Sequence, residues 1–298
     1  MDNVNDFFAT LSSYLWGWPM IVLLLGTHVF LSVRLRFPQR KLFTAIRLSV
    51  QRDKSQKGDV SQFGALATAL AATIGTGNII GVATAVALGG PGAVFWCWLT
   101  GVFGISTKYS EALLAIKYRV KSEKGHMLGG PMYTLERGLG WRKMGILFAV
   151  FTAIAAFGIG CTVQANAIST IMHASYGIST SVSGAVLMLL AAAVILGGVR
   201  SISKVCSMLV PFMALLYVLG CIYILCMNVV YVVSALKLIV NSAFSPEAAG
   251  GGLAGGSVIM AARYGIARGL FSNESGLGSA PIVAAAARTK NPVRQALV

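Results

Sequence analysis

The stretch "ATALAATIGTGNIIGVATAV" (residues 67–86) is apolar enough to cross a membrane, but Gly75-Thr76-Gly77-Asn78 interrupts it near its centre. Each glycine destabilises a helix by roughly 1 kcal/mol relative to alanine. One explanation is close packing, since small residues let membrane helices approach one another. The alternative is a broken helix whose backbone binds a ligand. Asn78 favours the second explanation, because an amide in the bilayer needs polar partners.

A second stretch, "ARGLFSNESGLGSAPIVAAAA" (residues 267–287), has the same kind of interruption between two apolar halves. Glu274 lies within it, and a carboxylate at the bilayer centre costs about 3 kcal/mol or more. It must therefore face protein, water or an ion. Two structural explanations remain open: an ion pair with Arg263 or Arg268, or an acidic residue in the first turn of the second half-helix, capped by Ser272 or Asn273.

The whole chain has the composition of a polytopic membrane protein. Of its 298 residues, 56% are hydrophobic and 11% are charged. A span needs about 20 apolar residues. An acidic start without a basic segment favours a true first span over a cleaved signal peptide, and five cysteines without a C-x-x-C spacing indicate packing rather than a metal site. Seven spans are predicted, at residues 15–33, 63–88, 93–116, 144–171, 182–196, 208–227 and 257–287.

The net charge of +15 describes topology rather than a nucleic-acid partner. Lysine and arginine fill the connections between spans 1 and 2, 3 and 4, and 5 and 6, and they follow span 7. The connections on the opposite side (89–92, 172–181 and 228–256) contain Lys237 as their only lysine or arginine. By the positive-inside rule, the N-terminus lies outside and the C-terminus of the chain lies in the cytoplasm.

The two breaks lie in spans 2 and 7, five spans apart, so the two segments cross the membrane in opposite directions. Corresponding broken spans in oppositely oriented halves are typical of inverted-repeat secondary transporters. The fold predicted is an all-α polytopic membrane protein with an inverted five-helix repeat. Residues 1–58 form an extra span and a basic connection, 59–244 the first repeat, and 245–298 the first discontinuous span of the second. The chain thus looks truncated, and a fragment that does not transport is an alternative.

An unwound span 2 exposes carbonyl groups at the end of one half-helix and N–H groups at the start of the next. A carboxylate suits the positive half-helix N-terminus, whereas Na⁺ and an ammonium group suit the carbonyls. The side chain of Asn78 adds an oxygen for the cation or an N–H donor for the carboxylate. Thr73, Gly75 and Thr76, with Phe271 across from them, leave room for a short side chain only. The ligand expected is a small zwitterion.

Four stretches resemble the alanine or glycine:cation symporter family, the bacterial sodium:alanine symporters: "TIGTGNIIGVATAVALGGPGAVFW", "GGPMYTLERGLG", "VQANAI" and "GLFSNESGLGSAPIVAAAA". The resemblance implies a leucine-transporter-like fold of eleven spans in the bacterial inner membrane. It also implies no enzymatic activity and a coupling of Na⁺, or sometimes H⁺, to uptake of alanine or glycine. The family completes a Na⁺ site from span 9, which lies beyond these residues.

Carried onto this chain, the resemblance places residues 75–78 in the substrate and ion site with residues 271–275 facing them. Gln164 contributes to the site or makes a hydrogen bond between helices. The substrate-binding residues predicted from the breaks and the resemblance are Thr73, Gly75, Thr76, Gly77, Asn78, Gln164, Phe271, Ser272, Asn273 and Ser275. Asn78 and Glu274 are the candidate Na⁺ ligands.

A cation channel is the competing function from another class, because "TIGTGN" resembles a carbonyl-lined filter. Such a filter is usually built from identical subunits, whereas two different breaks occur here in one chain. His28, His126 and His173 are scattered and do not form an H-E-x-x-H motif, so an intramembrane metalloenzyme is not supported. The partners expected are the lipid bilayer and a small neutral amino acid, with no nucleic acid and no protein partner inferred.

Overall fold

A computed structural model of the chain describes residues 2–51, 58–244 and 258–298. The basic residues Arg52, Lys54 and Lys57, and the start of span 7 at Ser257, lie outside the described residues. The described part is almost entirely helical, which confirms the all-α prediction. A short antiparallel hairpin, β1 (Val120–Lys121) and β2 (Met127–Leu128), is the exception.

Most helices coincide with the predicted spans, and two spans are divided. A 3₁₀ turn lies at Pro38–Lys41, and π-helical segments lie at Gly77–Gly81 and Ala156–Thr162. The α-helices of the described residues are α1 (Asp2–Leu15), α2 (Trp18–Arg34), α3 (Leu42–Val50), α4 (Gln62–Thr73), α5 (Val82–Gly89), α6 (Gly92–Lys117), α7 (Pro131–Leu139), α8 (Arg142–Ala155), α9 (Val163–Tyr176), α10 (Thr180–Ile195), α11 (Gly198–Met227), α12 (Val229–Phe244), α13 (Val258–Asn273), α14 (Ser279–Ala285) and α15 (Pro292–Leu297).

By length and composition, three helical stretches among the described residues could cross a membrane: Val4–Arg34, Arg142–Tyr176 and Gly198–Met227. The pair Gln62–Thr73 and Gly77–Gly89 makes a fourth if it is one broken span. The shorter apolar helices include α10. The chain is thus a helical membrane protein, and the count of seven spans and the repeat relationship stay predictions.

The sequence did not indicate α1 or α12. Residues 229–244, which were assigned to the connection between spans 6 and 7, form a 16-residue helix that contains Lys237. Valine-rich runs have modest helix propensity, but packing overrides this weak preference. Here the end of α12 is packed closely: a Cβ on Gly92 would overlap the Ser242 backbone. The Phe244 ring also lies 5.0 Å from that of Phe95.

The helices form two compact units. Unit 1 comprises Met1–Arg40, Gly77–Lys108 and Val218–Gly276, and unit 2 comprises Lys41–Thr76, Tyr109–Tyr217 and Leu277–Val298. Two of the five boundaries along the chain lie within the sequence breaks, between Thr76 and Gly77 and between Gly276 and Leu277. In unit 1, a buried apolar cluster joins Ile21 of α2 to Ile266 and Leu270 of α13.

Glycines also bring α13 against α6 in unit 1. A Cβ on Gly265 would overlap the carbonyl oxygen of Ala93, and one on Gly269 would overlap the Thr100 hydroxyl and lie 3.1 Å from the Cys97 Cα. The small residues of α13 therefore permit a close helix approach, as in other membrane helix pairs.

We expect Gly269→Ala to destabilise unit 1 by about 1–3 kcal/mol, because the added methyl group must push α6 away. The thermal unfolding midpoint in detergent is the measurement. Gly26→Ala is the matched control, since a Cβ there meets no atom within 4 Å and alanine favours a helix. Equal midpoints for Gly269→Ala and the unmodified protein would contradict the packing argument.

Candidate functional site

Span 2 is broken where the sequence predicted. Helix α4 ends at Thr73, and a π-helical segment, Gly77–Gly81, leads into α5. The Ile74 N–H still bonds the Leu70 carbonyl at 2.7 Å, so the regular ladder stops directly after it. π-Helical segments of this kind are frequent at functional sites.

Close packing does not explain the two glycines of this break. A Cβ on Gly75 would lie 3.7 Å from Gln164 Oε1, and one on Gly77 would lie 3.7 Å from the Ser272 Cα. Both are ordinary contacts, and neither residue has a positive φ. Alanine would therefore fit at both positions, in contrast to Gly265 and Gly269. At both positions the backbone is not covered by a side chain of its own residue.

In unit 2, Gln164 contacts the end of span 2. The Thr76 hydroxyl donates a hydrogen bond to Gln164 Oε1 at 2.8 Å. Gln164 is the second residue of α9, directly after the π-helical segment Ala156–Thr162. The Thr73 hydroxyl bonds its own helix, at 3.2 Å from the Ala69 carbonyl oxygen. The hydrogen bond expected for Gln164 is thus present, and ligand binding by Thr73, Thr76 and Gln164 stays a prediction.

Span 7 is also broken as predicted. Helix α13 ends at Asn273 and α14 begins at Ser279, after the N-cap residue Gly278. The intervening chain turns through left-handed conformations at Glu274 (φ +51°), Gly276 (φ +86°) and Gly278 (φ +80°). Glycine adopts this conformation without the steric cost that a side chain adds, which accounts for the two glycines of this break.

Glu274 lies at the C-terminal end of the first half-helix. Its N–H donates to the Leu270 carbonyl at 2.9 Å, and α14 has no acidic residue in its first turn. The suggestion of an acid favoured by a helix N-terminus is therefore wrong: Glu274 is at the negative end of α13, which disfavours a carboxylate. The error arose because the break is longer than the sequence indicated.

The ion pair suggested between Glu274 and Arg263 is not supported either. Arg263 precedes Glu274 by eleven residues, about 16 Å along a helix. Its guanidinium lies 3.4 Å from the Ser13 carbonyl oxygen and 5.9 Å from the centre of the Tyr264 ring. A carboxylate at a helix C-terminus thus adds to the local negative potential, and this arrangement favours a cation.

The two breaks meet inside unit 1. The Ser272 hydroxyl donates a hydrogen bond to the Asn78 side-chain oxygen. A ring carbon of Phe271 lies 3.8 Å from the position a Cβ of Gly77 would take. Gly77, Asn78, Phe271 and Ser272 are therefore neighbours, as the sequence predicted.

A groove of about 490 Å³ begins at this contact. Asn78, Ser272 and Asn273 form its polar lining, and the other lining residues are apolar or small. The side chains of Trp98 and Val102 are about half exposed, so the groove opens to the surface of unit 1. Its volume is typical of small-molecule sites, which combine an apolar lining with a few polar groups.

Ser275 lies apart from this groove. It is 2% exposed and packs against Gly104 of α6, close to His28 of α2. The sequence analysis did not assign His28 to any site. The signal for it was the presence of a histidine inside an otherwise apolar span, which is itself unusual.

Sequence reasoning also missed an arginine that caps α14 in unit 2. Arg119 donates to the carbonyl oxygens of Ala285 and Ala287, both at 2.8 Å, and to that of Thr289 at 2.6 Å. Burial lowers the pKa of Arg119, and the charge of Asp59 acts in the opposite direction. This cation thus fixes the end of α14 electrostatically and by hydrogen bonds.

Comparison with known proteins identifies the family that the chain resembles. The model of the sodium:alanine symporter family matches residues 1–298. An uncharacterized transporter of Haemophilus influenzae is 52% identical over 99% of this chain and 65% of its own length. The sodium/alanine symporter AgcS of Methanococcus maripaludis is 52% identical over 97% of this chain and 64% of its own length.

A putative sodium/proton-dependent alanine carrier protein of Bacillus subtilis, YrbD, is 42% identical over 98% of this chain. The chain spans 60% of that relative's length. It therefore covers less than two thirds of the length of each of these three proteins. The family match covers every residue of the chain and confirms the resemblance noted in its motifs. The chain belongs to the sodium:alanine symporter family.

Proposed function

We propose that the protein is a secondary active symporter that couples Na⁺ entry to uptake of alanine or glycine across the bacterial inner membrane. Family membership supports the class of activity. The observation that carries the site is the Asn78–Ser272 hydrogen bond beside Gly77, where two broken helices meet at the end of a groove. This is the arrangement in which such transporters bind substrate.

The groups at this contact suit a small amino acid. The second half of span 2 begins at Gly77, and N–H groups at a helix N-terminus bind a carboxylate. The first half of span 7 ends at Asn273, where carbonyl oxygens carry partial negative charge and attract an ammonium group. The absence of a side chain at Gly77 lets the ligand reach the backbone.

The coupled cation belongs, in this proposal, at the negative end of α13. Glu274 adds a full negative charge to the partial charge of the helix C-terminus, and Asn78 supplies an amide oxygen. Both Na⁺ and H⁺ suit such a site. Na⁺ is proposed because the sodium/alanine symporter relative is 52% identical to this chain.

In the membrane, the proposed topology has seven spans in this chain, with the N-terminus outside and the C-terminus of the chain in the cytoplasm. The asymmetric distribution of lysine and arginine supports this orientation. The two broken spans then run in opposite directions, as an inverted repeat requires.

The test is uptake of labelled alanine by proteoliposomes that contain the protein. We expect uptake to saturate with alanine, to require an inward Na⁺ gradient, and to stop when an ionophore collapses that gradient. Uptake of the same rate in choline would overturn Na⁺ coupling. Flux that rises linearly with alanine would indicate a channel instead.

Competition between amino acids should reveal the size of the site. Phe271 stands beside Gly77 and leaves room next to the break for a hydrogen atom or a methyl group. We therefore expect glycine to compete with alanine at equal concentration and leucine to require at least about tenfold more, because each extra methylene that must be fitted costs roughly 1–3 kcal/mol. Equal competition by leucine would show that the side chain of the substrate occupies the wider groove that begins at the Asn78–Ser272 contact.

A further inference from the structure

His28 is a buried histidine with one ring nitrogen that lacks a partner. Its side chain is fully buried within unit 1. Nδ1 lies 2.7 Å from the Thr107 hydroxyl oxygen, whereas Nε2 has no hydrogen-bond partner among the described residues. A buried polar atom left unsatisfied costs about 1–3 kcal/mol. A histidine that served only to pack α2 against α6 would not need a polar atom in this position.

The free nitrogen faces the break of span 7. The Ser275 Oγ and the His28 Nε2 lie 2.8 Å and 3.8 Å, respectively, from the position that a Cβ of Gly104 would take. The ring Cε1 lies 3.8 Å from the corresponding position of Gly276. Ser275 is itself buried, with 2% of its surface exposed. The Nε2 atom without a partner and the Ser275 hydroxyl thus both border Gly104.

Further polar groups connect this position to the end of span 1. The Ser32 hydroxyl lies 2.9 Å from that of Ser106, and Gln39 Nε2 donates to Ser32 at 2.9 Å. Ser32 is one helical turn after His28, and its hydroxyl bonds the His28 carbonyl at 2.8 Å. Hydroxyl groups can both accept and donate a proton. A polar column therefore runs through an otherwise apolar unit from Gln39 to His28.

We propose that His28 is a proton-binding site at the break of span 7. In the imidazolium form both ring nitrogens donate: Nδ1–H bonds the Thr107 hydroxyl, and Nε2–H bonds the Ser275 hydroxyl. The proton enters through the column that ends at Gln39, and no other bond is made or broken. Binding therefore gives a hydrogen-bond partner to Nε2, which has none in the neutral form.

Charged residues on the surrounding elements determine what this proton does. Arg34 belongs to α2, Lys108 follows Thr107 on α6, and Glu274 precedes Ser275 at the break. The imidazolium would lie near the negative end of α13, where the proposed function places Na⁺. This consequence rests on the proposed function: proton and Na⁺ should weaken each other's binding by one common factor, because linkage is reciprocal.

Nuclear magnetic resonance of ring-labelled histidine in the detergent-solubilised protein tests the site directly. The chain has three histidines, so His28→Gln assigns the signal. We expect the His28 signal to titrate between about pH 3 and pH 9. Ser275→Ala and Thr107→Val should each reduce its proton affinity about tenfold, since each removes a hydrogen bond to a charged group.

Two variants control for general disturbance of the fold. Thr27→Val removes the hydroxyl of the residue before His28, which bonds the Leu23 carbonyl and is not part of the column, and it should leave the titration unchanged. Thr107→Ser keeps the acceptor and should restore the affinity lost in Thr107→Val. A His28 signal that does not titrate, or one that Thr27→Val shifts as much as Ser275→Ala, would overturn the proton site.

The titration does not depend on transport, so the two proposals can fail separately. If His28 titrates as expected but alanine uptake ignores the Na⁺ gradient, the proton site stands and the symport mechanism is wrong. If uptake requires Na⁺ and His28 stays neutral over the whole pH range, the symport mechanism stands and the proton site is wrong. A titration midpoint that is lower in Na⁺ than in choline would support the coupling between them.

Discussion

Gly77→Ala should abolish most Na⁺-dependent alanine uptake while the protein still folds and inserts. The Cβ would meet its nearest neighbours at 3.7–3.9 Å, so the protein itself has room for it. The methyl group would instead occupy the space that the substrate needs beside Phe271 and Ser272. Crowding of this size costs about 1–3 kcal/mol, which corresponds to a loss of roughly ten- to hundredfold in apparent affinity. Gly77→Leu should leave no measurable uptake.

Two comparisons separate a ligand effect from a folding effect. Gly269→Ala should lower the unfolding midpoint, whereas Gly77→Ala should not, although each adds the same methyl group. Asn78→Ala should also remove uptake without preventing insertion, because it deletes the polar side chain that bonds Ser272. Unchanged Na⁺-dependent uptake in Gly77→Leu or Asn78→Ala would remove the span 2 break from the site.

The breaks themselves could be predicted from sequence because their cause is local. Gly75, Gly77 and Asn78 are unfavourable in an apolar helix whatever surrounds them, and the same is true of Glu274. The start of α7 is another local feature, because Pro131 stands in its first turn, where proline is favourable. The family match confirms the family inferred from these features.

The features that sequence could not supply depend on which helices pack together. Nothing near residue 28 indicates that His28 would lie beside Ser275, almost 250 residues later in the chain. The helical state of residues 229–244 depends on Gly92 and Phe95 of another helix. The position of Glu274 depended on where α14 starts, and the caps that the sequence offered, Ser272 and Asn273, belong to α13 instead.

Glu274→Gln should raise the Na⁺ concentration needed for half-maximal uptake by about tenfold or more. The substitution keeps the shape and the hydrogen-bonding capacity of the side chain and removes only its charge. A carboxylate beside a cation contributes about 1.5–3 kcal/mol through charge-assisted bonding. The lower end of this range corresponds to the tenfold rise in the half-maximal Na⁺ concentration. The measurement is the Na⁺ dependence of alanine uptake at saturating alanine. Glu136→Gln is the matched control, because Glu136 is 3.8 Å from Arg142 in an exposed ion pair.

Stability separates this role from a structural one. Removing a negative charge from the C-terminal end of α13 relieves repulsion, so Glu274→Gln should leave the protein as stable as before or more stable by about 0.3–1 kcal/mol. If Glu274 instead compensated the partly buried Arg268, the variant would be less stable than the unmodified protein. The charge exchange Arg268→Glu with Glu274→Arg restores a structural pair but places a cation where Na⁺ should bind. Full Na⁺-coupled uptake in that double variant would exclude Glu274 from the cation site and leave the backbone of the two breaks to bind the ion.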